Sequence, residues 1–283
     1  MKVSVIVPFR DATPLVKECL KAIVDQNYKD IEVIAISNKD SVKIKGVKSF
    51  VDTNRPGVGD KRNLGVEKSI GEILLFLDSD CIMKKDTIEK MIKIFKEKKS
   101  DAVWCEPLAA RRGNLLGYIT GLEYEARFEA MGERFVKTAA TTCLGVKRKA
   151  FEKVGGFKDY TTGEATGEDW DFTANFVKQG FRIFHTNTAQ VYHEHGSDTL
   201  MKYLKRQYLH ARYRPTHAKK YGNVSDEYTT PMMLFTSIIL LSIPQTIKIL
   251  IKKKEPKILL LPFVAFLRNF AWLYGALLGF LFG

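Results

Sequence analysis

Residues Ile73 to Leu77 read ILLFL, and the run stops at Asp78, Ser79 and Asp80. Consecutive large apolar side chains, with Gly71 before them and acids after, fit a strand buried on both faces. Such a strand belongs inside a sheet covered by helices, since only there are both faces out of water. In open α/β sheets the C-terminal end of a strand is where ligands sit. Two carboxylates placed there repel each other unless a cation or a donor-rich ligand lies between them. A divalent metal carrying a diphosphate meets both needs, because hard cations take oxygen ligands. Asp78 and Asp80 would also cap a helix starting near Lys85, so spacing alone leaves both readings open.

The neighbouring sequence supplies the rest of such a sheet. Val3 to Val7 is a β-branched run halted by Pro8. Thr13 to Val24 carries Leu15, Val16, Cys19, Leu20, Ile23 and Val24 at helical spacing, behind Thr13 and Pro14 as start signals. Strands are predicted over Ile31–Ile36, Val47–Val51 and Ala102–Cys105, and helices over Asp60–Ile70, Asp86–Lys96 and Asp171–Lys178. The alternation predicts the α/β class with a mainly parallel sheet. Right-handed crossovers then gather Pro8–Arg10, Ser37–Lys39 and Asp78–Asp80 into one cleft.

Charge narrows the partner. Lys and Arg number 45 against 32 Asp and Glu, a net +13, which favours an anionic partner. No zinc-finger, RNA-recognition or helix-turn-helix signature is present, so nucleic acid is not expected. Cys19, Cys81, Cys105 and Cys143 are scattered without metal-ligand spacing. They read as reduced thiols in a domain facing the cytosol. The opening MKVSVIVPFR is too short an apolar run for a signal peptide and reads as a strand.

Motifs follow one another in a telling order: VSVIVPFR at 3–10, IEVIAISN at 31–38, GVGDKRNLGVEKSIGEILLFLDSD at 57–80, KRKAFEKVGGF at 147–157, TGEDWDF at 166–172 and VYHEH at 191–195. In this order they resemble the family-2 glycosyltransferases, over about residues 1 to 215. The resemblance implies a GT-A (Rossmann-like) nucleotide-sugar domain. It implies that Pro8 and Phe9 border the nucleotide cleft and that Asp60 and Arg62 lie on a helix beside it. For Arg62 an exposed helix face is the competing reading. Ser37 and Asn38 stand where the family has two acids, and Asn38 could still bond a base edge. Arg10 replaces a common amide and would meet phosphate or a nearby acid.

Sugar transfer needs charge neutralisation at the leaving diphosphate, a base for the acceptor hydroxyl, and alignment of the two. The resemblance implies Mn²⁺ or Mg²⁺ held directly by Asp80, with Asp78 nearer the ribose or the metal's water shell. It implies His193 as a third ligand, with His195 competing. Asp169 is implied as the general base, although acids are also favoured at helix starts. Glu168 would orient the acceptor or tune Asp169. Trp170 would stack on a sugar or fill core. Inversion at the anomeric carbon is implied by the family. Arg111 and Arg112 lie in a loop that would meet a charged acceptor or simply solvent.

The C-terminal part changes character. Thr199 to Ser225 has no acid and mixes Lys and Arg with tyrosine and leucine, as in a helix lying at lipid headgroups. Within it, Arg206 and Gln207 open RQYLHAR, where they could hold an acceptor phosphate. His210 and Ala211 depart from the Gln-x-x-Arg-Trp motif of processive synthases. Pro231–Ile251 and Ile258–Gly283 are mostly apolar and near spanning length. Arg268 would then face another helix, a dimer partner or a water-filled groove, since a charge in hydrocarbon is costly.

The expected organisation is a catalytic domain at 1–198, basic amphipathic interface helices at 199–230, and a transmembrane region at 231–283, as a hairpin. The expected activity is a metal-dependent inverting transfer of a hexose, mannose ahead of glucose, from a GDP- or UDP-sugar to a lipid-linked acceptor. Such transfers occur in N-glycan precursor and glycolipid assembly. The expected place is the cell membrane, with the catalytic domain cytoplasmic and a homodimer through the last helices. The alternatives are a polysaccharide synthase of the cellulose-synthase-like type and a non-catalytic membrane scaffold.

Overall fold

A computed structural model describes residues 1–55, 57–110, 113–158, 167–194, 199–222 and 239–282. Arg111, Arg112, His195 and the expected boundaries at 198 and 230 lie outside the described residues. The chain divides into two compact units. One comprises Met1–Leu108, Phe128–Gly163 and Glu168–His193; the other comprises Ala109–Arg127, Glu164–Gly167 and Glu194–Gly283.

The first unit is built on a nine-stranded sheet ordered β3-β2-β1-β4-β8-β6-β9-β5, with β7 paired to β9. The strands are β1 (Val3–Phe9), β2 (Ile31–Ser37), β3 (Val47–Val51), β4 (Ile73–Leu77), β5 (Cys81–Met83), β6 (Ala102–Ala109), β7 (Arg134–Val136), β8 (Cys143–Lys147) and β9 (Ile183–His193). Strands β1 to β4 are parallel. The expected mainly parallel sheet is corrected beyond them: β8 pairs antiparallel with β4 and β6, and β9 pairs antiparallel with β5 and β7. Apolar runs show that a strand exists but carry no direction, so the mixed half was hidden.

Alternate residues of the central strands bury opposite faces. Val5, Val7, Leu75 and Leu77 pack with Leu20 and Ile23 of α1 (Pro14–Val24) and Met91 and Phe95 of α3 (Thr87–Lys98). Ile6, Leu74 and Phe76 pack with Phe151 of α5 (Arg148–Val154), Phe157, and Phe172 and Phe176 of α6 (Glu168–Lys178). The Thr13 hydroxyl caps α1, accepting from Val16 N at 3.3 Å. Pro8 does not end β1, as expected, but sits within it. Pairing with β4 stops at Ile6, so near Pro8 the strand keeps only its β2 neighbour and one edge can lack an N–H. Helix α2 (Val58–Glu67) lies close on β1, because a side chain at Gly65 would collide with Ile6.

The second unit contains most of α4 (Leu115–Met131), α7 (Leu200–Tyr221), α8 (Ile239–Lys253) and α9 (Leu261–Phe282). Tyr118, Ile119 and Leu122 of α4 pack with Ile249, Leu261 and Ala265. At the centre Glu123, 1% exposed, accepts from Arg127 Nη2 at 2.7 Å and from Arg268. Burial would raise the Glu123 carboxyl, but the two guanidiniums prevail and hold it at about 2. Of the three surroundings expected for Arg268, a helix of the same chain is the one found. Among the described residues one stretch, Pro256–Leu281, is long and apolar enough to cross a membrane. The described part of the first apolar segment is helix α8, 15 residues long, a rise of about 22 Å; the rest of that segment lies outside the described residues.

Candidate functional site

The site grows from the C-terminal end of β4. After Leu77 the chain turns, with Cys81 N donating to Asp78 O at 3.0 Å, and returns as β5. Strand β5 pairs antiparallel with β9 in a register that sets Cys81 opposite His193. That register brings His193 Nε2 to 3.4 Å from Asp80 Oδ1. Asp80 Oδ, Cys81 Sγ and His193 N lie within 4.8 Å of one another.

Helix α2 carries the second piece. Arg62 is 3% exposed and bridges two carboxylates. Its Nη2 donates to Asp78 Oδ1 at 2.9 Å and its Nη1 to Glu168 Oε1 at 2.8 Å. The exposed helix face considered for Arg62 is therefore ruled out. The next residue, Asn63, makes a reciprocal pair with Phe157, donating to its carbonyl at 2.8 Å and accepting from its N–H at 3.0 Å. The Phe157 ring lies under the Arg62 guanidinium, 5.4 Å from centroid to Cζ. The Arg-Asn dipeptide thus ties α2 both to the carboxylates and to the GGF segment.

Helix α6 supplies the third piece. It starts at Glu168, three residues before the expected Asp171, so Glu168 and Asp169 stand in its first turn. Asp169 Oδ1 accepts from Trp170 N at 2.8 Å. Desolvation, then the neighbouring Glu168 charge, raise the Asp169 carboxyl to about 7, against the opposing pull of Arg62. Desolvation also raises Asp78, with Arg62 opposing and Asp80 reinforcing. A carboxyl poised near neutrality can take a proton at physiological pH and release it again.

The donor set fits a divalent cation. A carboxylate oxygen and an imidazole nitrogen suit Mn²⁺ or Mg²⁺. Two ligands at right angles on an ion with bonds of ~2.1 Å lie about 3 Å apart, close to the observed 3.4 Å. Cys81 is a poor third donor: its thiol is fully buried and its pKa is raised well above the usual range by desolvation and then by Asp80 and Asp78.

Other expected residues border the same strand ends. Pro8 and Phe9 are buried in β1, and the Arg10 side chain is exposed with a loose 3.9 Å approach to Asp11. Ser37 Oγ donates to Arg10 O at 2.9 Å, joining the first two strand ends. Asn38 Oδ1 is buried with no hydrogen-bond partner among the described residues, which leaves an acceptor for a ligand donor. Asp60 lies in the first turn of α2, and Trp170 is half-buried. Arg206 and Gln207 lie on α7 in the second unit, where Gln207 is buried with Tyr203 and Ala211.

Lys61, between Asp60 and Arg62 on α2, is a further residue of the site. It is 6% exposed, and among the described residues no ion pair or hydrogen bond engages its ammonium. Burial, Arg10 and Arg62 lower its pKa, with Asp60 opposing. A lysine directly before the Arg-Asn pair was the available signal.

The sequence model described as Glycosyl transferase family 2 matches residues 4–155. Glycosyltransferase GlyG of Streptococcus pneumoniae is 28% identical over 43% of this chain, and the chain spans 45% of its length. Glycosyltransferase AglE of Haloferax volcanii is 25% identical over 64% of this chain and 63% of its own. Among solved structures, the mannosyltransferase PcManGT from Pyrobaculum calidifontis, in complex with GDP-Man and Mn²⁺, superposes with a TM-score of 0.57 at 17% identity, covering 99% of this chain and 73% of that one. That likeness is one of fold, the GT-A arrangement.

Proposed function

The chain belongs to glycosyl transferase family 2, and on that premise we propose a metal-dependent, inverting transfer of a hexose from a nucleotide sugar to a lipid-linked acceptor. The observation that carries the reading is the continuous polar line Asp80–Asp78–Arg62–Glu168–Asp169, with His193 beside Asp80. One end of that line has the donor set for a cation, and the other has a carboxyl near neutrality.

In the proposed reaction the acceptor hydroxyl oxygen bonds to the anomeric carbon and the bond from that carbon to the diphosphate breaks. Asp169 takes the hydroxyl proton, and the nucleoside diphosphate leaves with the bonding electrons. Attack opposite the leaving group gives inversion. When bound, a divalent cation at Asp80 and His193 would supply counter-charge to the leaving diphosphate. Asp78 would serve the ribose or the cation's water shell. Arg62 keeps Asp78 and Glu168 neutralised and in place, so that Asp169 is the proton acceptor of the group. Lys61 and Arg10 are read as cations facing the donor's phosphates, and Asn38 as a base contact.

The GDP-Man and Mn²⁺ in the Pyrobaculum neighbour favour GDP-mannose and manganese here. The apolar Pro256–Leu281 stretch and the basic α7 favour an acceptor that lives in a membrane, with the catalytic unit on its cytoplasmic side. The test is incubation of the full chain with lipid extract, Mn²⁺ or Mg²⁺ and a panel of labelled GDP- and UDP-sugars. Label in chloroform-soluble lipid supports the reading. Label only in a long insoluble polymer would favour a synthase, and no transfer from any donor would refute it.

A further inference from the structure

Helix α9 is sorted by face in an unusual sense. Arg268 and Asn269 point inward and are 1% and 0% exposed. Phe263, Phe266, Phe270, Tyr274, Leu277 and Leu281 point outward, spaced three or four residues apart, with Phe270 68% exposed. Helix α8 repeats the pattern with exposed Ile243, Ile247 and Ile251. A contiguous apolar surface of this extent marks a docking site.

The occupant is decided by what lies beside α9. Tyr203 meets Arg268, while side chains at Gly275 and Gly279 would collide with the backbone of Tyr208 and Arg212. The contacts advance together along both chains, so α7 and α9 run side by side in the same direction. Helix α7 carries exposed Lys202, Lys205, Arg212, Lys219 and Lys220 and no acid. If α9 crossed a bilayer in this packing, Lys202 and Lys205 would enter the hydrocarbon centre with it, where charge is strongly disfavoured. The same two helices laid flat satisfy every group: the oily face enters one leaflet and the cations meet anionic headgroups.

We infer that the C-terminal helices hold the chain on one leaflet of an anionic bilayer, with α9 lying in the plane of the membrane rather than spanning it. This rests on the proposed function only in taking lipid as the partner, and it replaces the expected transmembrane hairpin with a monotopic attachment.

The test uses the full chain on vesicles of phosphatidylcholine and phosphatidylglycerol. Cys19, Cys81, Cys105 and Cys143 are buried, so a thiol dye reports on Phe263→Cys, Phe270→Cys or Leu277→Cys introduced one at a time. Nitroxide lipids labelled at shallow and deep acyl positions give the depth of each dye. An in-plane helix puts all three at one shallow depth. A spanning helix rises about 10 Å over seven residues, so a dye at position 270 deeper than both others by about 5 Å or more overturns the inference. That outcome leaves the transfer reaction untouched. Absence of quenching at all three positions also overturns it, and with it the lipid part of the proposed function. Flotation with vesicles should fall at least about tenfold in Phe270→Glu, and unchanged flotation would count against the inference equally.

Discussion

Asp169→Asn should move two measurable quantities in opposite directions. The amide oxygen can still accept from Trp170 N–H, so the turn of α6 keeps its 2.8 Å hydrogen bond. What is lost is the titrating proton. The carboxyl sits at about 7 in the folded chain against an ordinary 3.8, so the folded chain binds this proton more tightly than the unfolded chain does. Stability from this group is therefore full below about pH 4 and falls as the pH rises through about 7. Each pH unit between those values corresponds to about 1.4 kcal/mol, which sets an upper bound of about 4 kcal/mol. The charges of Glu168 and Asp78 act on the same carboxyl, so about 2–4 kcal/mol belongs to removing the one charge.

At about 3 °C per kcal/mol for a unit of this size, Asp169→Asn should raise Tm by roughly 6–12 °C at pH 8.5 in chelator, and by almost nothing near pH 4. Chelator matters because a bound cation would itself favour the carboxylate. Under saturating donor and metal the same variant should turn over at least about 10²-fold more slowly, with donor affinity near normal. Wild-type kcat/KM should climb with pH through a limb near 7. A Tm difference that is the same at pH 5 and pH 8.5 would refute the buried, charge-crowded carboxyl on which the base assignment stands. Collapsed donor affinity with turnover preserved would make Asp169 a binding residue.

Three further substitutions probe the rest of the line. Asp80→Ala should cut transfer at least about 10²-fold and abolish the gain in donor affinity on adding Mn²⁺, read by calorimetry; full activity in excess chelator would remove the cation from the reaction. Arg62→Met removes the shared counter-charge of two half-buried carboxylates and should destabilise by about 3–5 kcal/mol. Arg62→Lys should not restore stability, since one ammonium cannot bridge as the fork does; a wild-type Tm in either variant contradicts the bridging role. Lys61→Met removes a desolvated cation that no ion pair or hydrogen bond engages among the described residues, so thermal stability should hold or rise. Donor affinity should nevertheless fall about tenfold, and an unchanged Kd would show that Lys61 does not face the donor.

The first half of the fold was readable because its signals are local. Five apolar residues ending in an acid identified β4 to the residue, and Thr13-Pro14 marked the start of α1 within one position. Strand β8 was not readable: CLGVK is short, and its Gly145 is there because a side chain would meet Met91 and Phe95. Helix α2 hid its role for a different reason. Its inward residues include Gly59, Lys61, Arg62 and Gly65, so it shows almost no apolar stripe. A helix that turns charge toward carboxylates looks, by periodicity, like one with no buried face. The nearness of His193 to Asp80 depends on the pairing of β5 with β9, across 113 positions of sequence, and only the resemblance of VYHEH pointed there.

The tail shows what a hydropathy average discards. By composition, Arg268 is an isolated charge in an oily run, which argued for a partner without naming one. Glu123 lies 145 positions earlier, in a segment that composition assigned to the catalytic domain. With that pair made, the polar side of α9 is turned inside the protein and its apolar side is left facing outward. A helix in water does the reverse. Helix α7, packed along it, keeps the ordinary sense, with Tyr203 and Ala211 inward and lysines outward. The two helices therefore differ in which solvent their outer faces suit, although they share one interface. A membrane boundary running along the pair satisfies both, whereas a boundary running across the pair would satisfy only part of each.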